Sequence, residues 1–166
     1  MAGTVRIENV ELKGLKEYLS SLAGKNAPVE MRVGIFEDAT NDVNGMHVAE
    51  YAAYNEYGTM HIPSRPFLRK TFKEKSKSWA NIILGGLKAN IDNPEKAFHG
   101  ALSGAGRIAE SDVVNTIKSD LPPTDTAWQQ YKRKKKGEDR TTLIDTATMV
   151  NSVGYRLFTQ SGEPMA

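Results

Sequence analysis

The sequence predicts an α+β fold, with a small antiparallel sheet packed against several helices, two of them long. Three observations carry this. Apolar residues alternate with polar ones near both ends of the chain, at Val29–Ile35 and at Val153–Leu157, which is the period of a half-buried strand. Two extended apolar stripes at helical spacing lie between them. The order strand, helices, strand then favours an α+β layer arrangement. At 166 residues the chain fits one domain with one core. The expectation is a single α+β domain over 1–166, with an N-terminal helix and a short polar C-terminal tail.

Leu12, Leu15, Leu19 and Leu22 recur at steps of three and four up to Gly24, which predicts a helix stopped by glycine. Its plain role is to pack on the sheet, and a detachable docking arm is the alternative. Val29, Met31, Val33 and Ile35 form the first strand. The following EDATNDVNG is rich in turn formers, with Asn44-Gly45 the sharpest signal. Its carboxylates do not match a calcium loop, since no glycine stands sixth and no acid twelfth from Asp38.

Val48, Tyr51, Ala52 and Asn55 share a helical face, and Tyr51, Tyr54 and Tyr57 follow at steps of three. Gly58 permits the backbone to leave the helix. Pro63 and Pro66 stiffen HIPSRP into a non-helical segment, and Pro66 suits the first position of a helix. Leu68, Phe72, Trp79, Ile83, Leu87 and Ile91 then mark a long helix. Its first half carries Lys70, Lys73, Lys75 and Lys77, which oppose the helix dipole. They make either a solvated face or an outward basic surface.

Asn93-Pro94 reads as a cap followed by a first helical position. Phe98, Leu102, Ala105, Ile108, Val113 and Ile117 form the second long stripe. Gly100, Gly104 and Gly106 interrupt it and suggest close approach of another helix, within the subunit or between subunits. Leu121-Pro122-Pro123 ends the helix. Next comes the basic run Lys132, Arg133, Lys134, Lys135 and Lys136, beside Trp128 and Tyr131. Such runs are usually surface tracts, although basic charge with stacking rings is also a nucleic-acid footprint. Asp145 or Thr146 suits the cap of a short helical turn. Val153, Tyr155 and Leu157 begin a last strand, expected to pair with the first.

Composition narrows the function classes. Hydrophobic residues at 39% and charged ones at 25% describe a folding, water-compatible chain. No apolar run approaches the roughly 20 residues of a membrane span, and MAGTVRIENVELKG has no leader pattern. Cysteine is absent, which removes disulfides and thiolate metal sites. A net charge of +2 does not itself imply nucleic-acid binding. Nucleophile-elbow, HExxH and Walker patterns are missing, and His47, His61 and His99 are scattered. Glu50 and Glu56 stand six apart on a short helix and do not form a close pair. No catalytic, cofactor or metal site is therefore expected, and the chain reads as a non-enzyme.

The surface candidates are aromatic and basic. Tyrosine and arginine are enriched at protein interfaces, so Tyr51, Tyr54, Tyr57, Arg65 and Arg69 are the expected interface residues. Phe67 and Phe72 are expected to anchor the segment. Gly58, Pro63, Pro66, Phe67, Asp145 and Thr146 are the expected structural motif positions. The basic run 132–136 is the expected contact for DNA or an acidic partner.

Two segments also carry a resemblance. Ala49–Phe72 holds Tyr51-Ala52, then Glu56-Tyr57-Gly58-Thr59, then Pro63-Ser64-Arg65-Pro66-Phe67. Leu121–Leu157 holds Pro123-Thr124, the lysine-rich spacer, and Leu143-Ile144-Asp145-Thr146-Ala147. Together they resemble the tail-completion and minor-tail (neck, virion morphogenesis) proteins of tailed bacteriophages. Ala147 stands where that family has glycine. The resemblance implies a small α+β subunit of a homo-oligomeric, hexameric ring at the head–tail junction. The ring would complete or cap the tail and join it to connector or adaptor proteins and to tail terminator or tail-tube proteins, with genomic DNA passing through its lumen. Localisation in the virion, after synthesis in the host bacterial cytoplasm, follows from the same likeness. A phage DNA-binding protein using residues 132–136 is the alternative.

Overall fold

The computed structural model describes residues 27–39, 47–60, 63–89, 92–119 and 148–165. In chain order they form β1 (Pro28–Ile35), α1 (Val48–Tyr57), α2 (Phe67–Ala89), α3 (Pro94–Lys118), α4 (Thr148–Asn151) and β2 (Val153–Thr159). β1 and β2 pair antiparallel in a two-stranded sheet. The α+β class, the two long helices and the pairing of first strand with last are all as the sequence predicts. The expected helix over Leu12–Leu22, the Asn44-Gly45 turn, the run Lys132–Lys136 with its flanking rings, and Asp145-Thr146 lie outside the described residues.

Two compact units can be separated within the chain. The first holds, of the described residues, 34–39, 47–60, 63–73, 112–119 and 148–153. Its buried apolar side chains include Val48, Ala52, Phe67, Ile117, Met149 and Val150, and α1 packs on α4. Phe67 is wholly inaccessible to solvent, as is Thr71 one turn later. The Thr71 hydroxyl meets the Phe67 carbonyl and the Thr116 hydroxyl of α3, both at 2.7 Å, so this buried polar group is satisfied. The buried side of this first turn therefore runs Phe67–Thr71. Leu68 and Phe72, expected there, are only half-buried. A shift of one residue is enough, because each step turns the helix by more than a quarter of its circumference.

The second unit holds the described residues 27–33, 74–89, 92–111 and 154–165. Ala27, Phe98, Leu102 and Leu157 form its apolar centre, with Met31, Ile83, Leu87, Tyr155 and Met165 packed against them. The Asn93 cap is as expected: its Oδ1 accepts the Lys96 N–H at 3.2 Å, filling one vacancy at the start of α3. Ile108 departs from expectation. It is 43% exposed, and Ala109 is buried in its place. From Ala105, a step of four keeps closer to the buried face here than a step of three.

The glycines of α3 divide. A Cβ on Gly100 or Gly104 would touch nothing within 4 Å in this chain, so neither seats another helix of the same subunit. A Cβ on Gly106 would fall 2.2 Å from the Tyr155 ring, so this glycine seats an aromatic side chain from the sheet. Close helix–helix approach belongs to Gly86 of α2, where a Cβ would lie 2.8 Å from the Ala101 Cβ.

The C-terminal tail is more ordered than its polarity suggests. Gly162, at φ 84°, takes a left-handed conformation that suits glycine and turns the chain back. Pro164 bridges Phe158 antiparallel. The Thr159 N–H donates to the Glu163 carbonyl at 3.0 Å, and the Met165 N–H donates to the Leu157 carbonyl at 2.9 Å.

These contacts separate the glycines experimentally. Gly106→Ala should lower unfolding free energy by about 1–3 kcal/mol, the range for overpacking. Gly100→Ala should instead raise it by up to about 1 kcal/mol. Urea denaturation of the two variants beside the parent checks both signs.

Candidate interaction surface

α1 places its residues by simple rotation. Val48, Ala52 and Asn55 are buried, as their shared face predicts. A step of three falls short of a full turn, so the tyrosines walk off that face. Tyr51 is half-buried, Tyr54 is 36% exposed and Tyr57 is 65% exposed. Gly58 then ends the helix at φ 79°, its N–H donating to the Tyr54 carbonyl at 2.9 Å.

Beyond Gly58 the chain returns across the end of α1. The Arg65 N–H donates to the Asn55 carbonyl at 2.6 Å. Arg65 Nη1 donates to Asn55 Oδ1 at 2.8 Å, and Asn55 Nδ2 donates to the Tyr51 carbonyl at 2.9 Å. Ser64 Oγ donates to the Glu56 carbonyl at 2.8 Å. Arg65, expected at the interface, is only 4% exposed. Its guanidinium is an internal brace in this chain, because the proline-stiffened segment points it back at α1.

Glu56 is the residue that sequence reasoning missed. It is 2% exposed, yet its carboxylate is well satisfied. Oε2 accepts the Leu68 N–H at 2.9 Å, while Oε1 accepts the Arg69 N–H at 3.0 Å and Arg69 Nε at 2.9 Å. Those amides belong to the first turn of α2, whose N–H groups have no partner within the helix. Pro66 stands just before that turn, since its carbonyl accepts from Lys70 at 2.9 Å. It thus occupies the cap position rather than the first helical one, and its ring offers no side-chain acceptor. α2 has no acid of its own in this turn. Glu56 supplies the negative charge that the helix start favours and offsets the basic residues there. The available signal was this basic, acid-free start, which called for a carboxylate from elsewhere.

Arg69 completes the clasp and opens it to solvent. Nη2 donates to the Glu56 carbonyl at 2.7 Å and to Ser64 Oγ at 3.3 Å. The guanidinium lies 5.0 Å from the centre of the Tyr57 ring, within cation–π range, and the side chain remains 56% exposed. Met60 beside them in sequence is 90% exposed, and Pro63 and Ser64 are exposed as well. Tyr57 and Arg69 are thus brought together on a fixed frame. Tyr54 instead donates its hydroxyl to Glu50. That hydrogen bond and the nearby negative charge hold the Tyr54 phenol above its ordinary pKa.

No family model, curated protein or solved structure matches this chain. Among the described residues no cluster of His, Asp or Glu has the makings of a metal site. No described helix is long and apolar enough to cross a membrane. Tyr57 and Arg69 form an exposed aromatic and arginine-bearing surface on this frame, with exposed Met60 and Pro63 nearby in sequence.

Glu56→Ala should cost about 1.5–3 kcal/mol, the range for hydrogen bonds to a charged group. It should also loosen the start of α2, read by hydrogen exchange at Leu68 and Arg69. For Tyr54, a phenol raised in the folded state favours folding below its unfolded pKa and loses that contribution as pH rises through the folded value. Glu50→Gln should lower the Tyr54 phenol pKa, followed by titration at 295 nm beside the parent.

Proposed function

We propose that this chain is a structural virion protein of a tailed bacteriophage, one subunit of a hexameric ring at the head–tail junction. The ring completes or caps the tail and joins it to connector and tail-tube proteins, with DNA passing through the lumen. The chain is made in the host cytoplasm, ends in the particle and performs no catalysis. The observation that carries this reading is the Tyr57–Arg69 surface on its Glu56-braced frame, in the segment whose motifs resemble those of tail-completion proteins. A ring needs surfaces that close head to tail, and a rigid aromatic–arginine patch meets that need at low ordering cost.

Native mass spectrometry and negative-stain imaging of the purified full chain should reveal a closed ring. Tyr57→Ala should dissociate it while leaving the circular dichroism spectrum of the subunit intact. A chain that stays monomeric at high micromolar concentration and is absent from purified particles would sink the proposal. Salt-sensitive DNA retention by the monomer would favour the DNA-binding alternative instead.

A further inference from the structure

The ionic groups around Tyr57 are unevenly used. Glu56 is buried, and both its oxygens are engaged by α2. Glu50, the other carboxylate of α1, accepts the Tyr54 hydroxyl. No acid stands in the first turn of α2. The cations are different. Arg69 commits Nε and Nη2 inward, while among the described residues Nη1 makes no hydrogen bond, and the side chain is 56% exposed. Lys70 is half-buried and Lys73, one turn on from Arg69, is exposed. The patch therefore shows solvent an aromatic ring, a thioether and positive charge, while of the two carboxylates of α1 one is buried and the other accepts the Tyr54 hydroxyl, and exposed Glu74 stands next to Lys73.

We propose that this surface takes a carboxylate from a second copy of the chain, paired with Arg69 Nη1 while an apolar neighbour covers Tyr57 and Met60. The inference rests on the ring reading above and specifies the chemistry of its contact. Charge complementarity supplies the argument. Docking another cationic face here would bring like charges together, whereas a carboxylate gains a charge-assisted bond from a guanidinium already held in place. The stacked Tyr57 ring and the Glu56 brace reduce the rotamer freedom that Arg69 loses on pairing. A head-to-tail contact requires two different surfaces on each copy, and the same chain exposes carboxylates elsewhere, at Glu37, Glu95 and Glu163.

The test is zero-length crosslinking of the assembled full chain, prepared as a mixture of ¹⁴N- and ¹⁵N-labelled subunits. A water-soluble carbodiimide joins an amine to a carboxylate in direct contact. Parent protein should give mixed-isotope peptide pairs linking Lys70 or Lys73 to an acid-bearing peptide, and Arg69→Lys should add such a pair at position 69. Raising salt from about 0.05 M to about 0.5 M should weaken assembly at least several-fold, since exposed charge pairs are screened. A salt-insensitive ring with only same-isotope links, such as position 69 to Glu56, overturns the carboxylate contact and leaves the ring reading standing. A parent chain that stays monomeric and is absent from purified particles overturns both.

Discussion

The first unit depends on one buried carboxylate. Glu56 sits at the end of α1 and closes the start of α2, accepting two backbone amides and the Arg69 side chain. A buried carboxylate without such partners would be costly. Here the desolvation is offset by groups that themselves lack partners, the first amides of a helix. The charge then fixes more than the cap. It sets where α2 begins relative to α1, keeps Arg69 over Tyr57, and leaves Ser64 and Arg65 to bridge the remaining carbonyls. The candidate surface is rigid because its anchor is internal.

The polar groups nearest the patch are consumed in holding it, and what remains exposed is ring, thioether and half a guanidinium. These are groups that give affinity through area and shape, with little side-chain entropy to lose. Arg65 illustrates the division of labour. It shares the segment with Arg69, but faces inward and braces Asn55, so two arginines four residues apart serve opposite sides of one turn.

Much of the fold was legible because it is local. Period-two alternation located both strands, Asn93 announced its cap, and Gly58 announced its stop. The pairing of the two strands followed from the length of intervening chain available for helices. Tyr57 and Arg69 were legible as surface candidates because of their residue types, and both are exposed. What escaped reading depends on distant neighbours. Glu56 reaches amides twelve and thirteen residues away, and nothing in its immediate sequence shows this. Ile108 and Ala109 compete for one position on a face, and the packing of α3 decides between them. Gly106 resembles Gly100 and Gly104 in sequence, yet only Gly106 meets an aromatic ring. The inward turn of Arg65 likewise required the path from Gly58 to Pro66 to be known.

The return at the chain's end has a consequence for life at high concentration. Strand edges recruit other strands, and growing sheets are a route to fibres. Pro164 lies against Phe158 on the returning segment and has no N–H to offer a newcomer. That position works as a chain terminator for sheet growth. A further strand approaching this edge would find no backbone donor at Pro164.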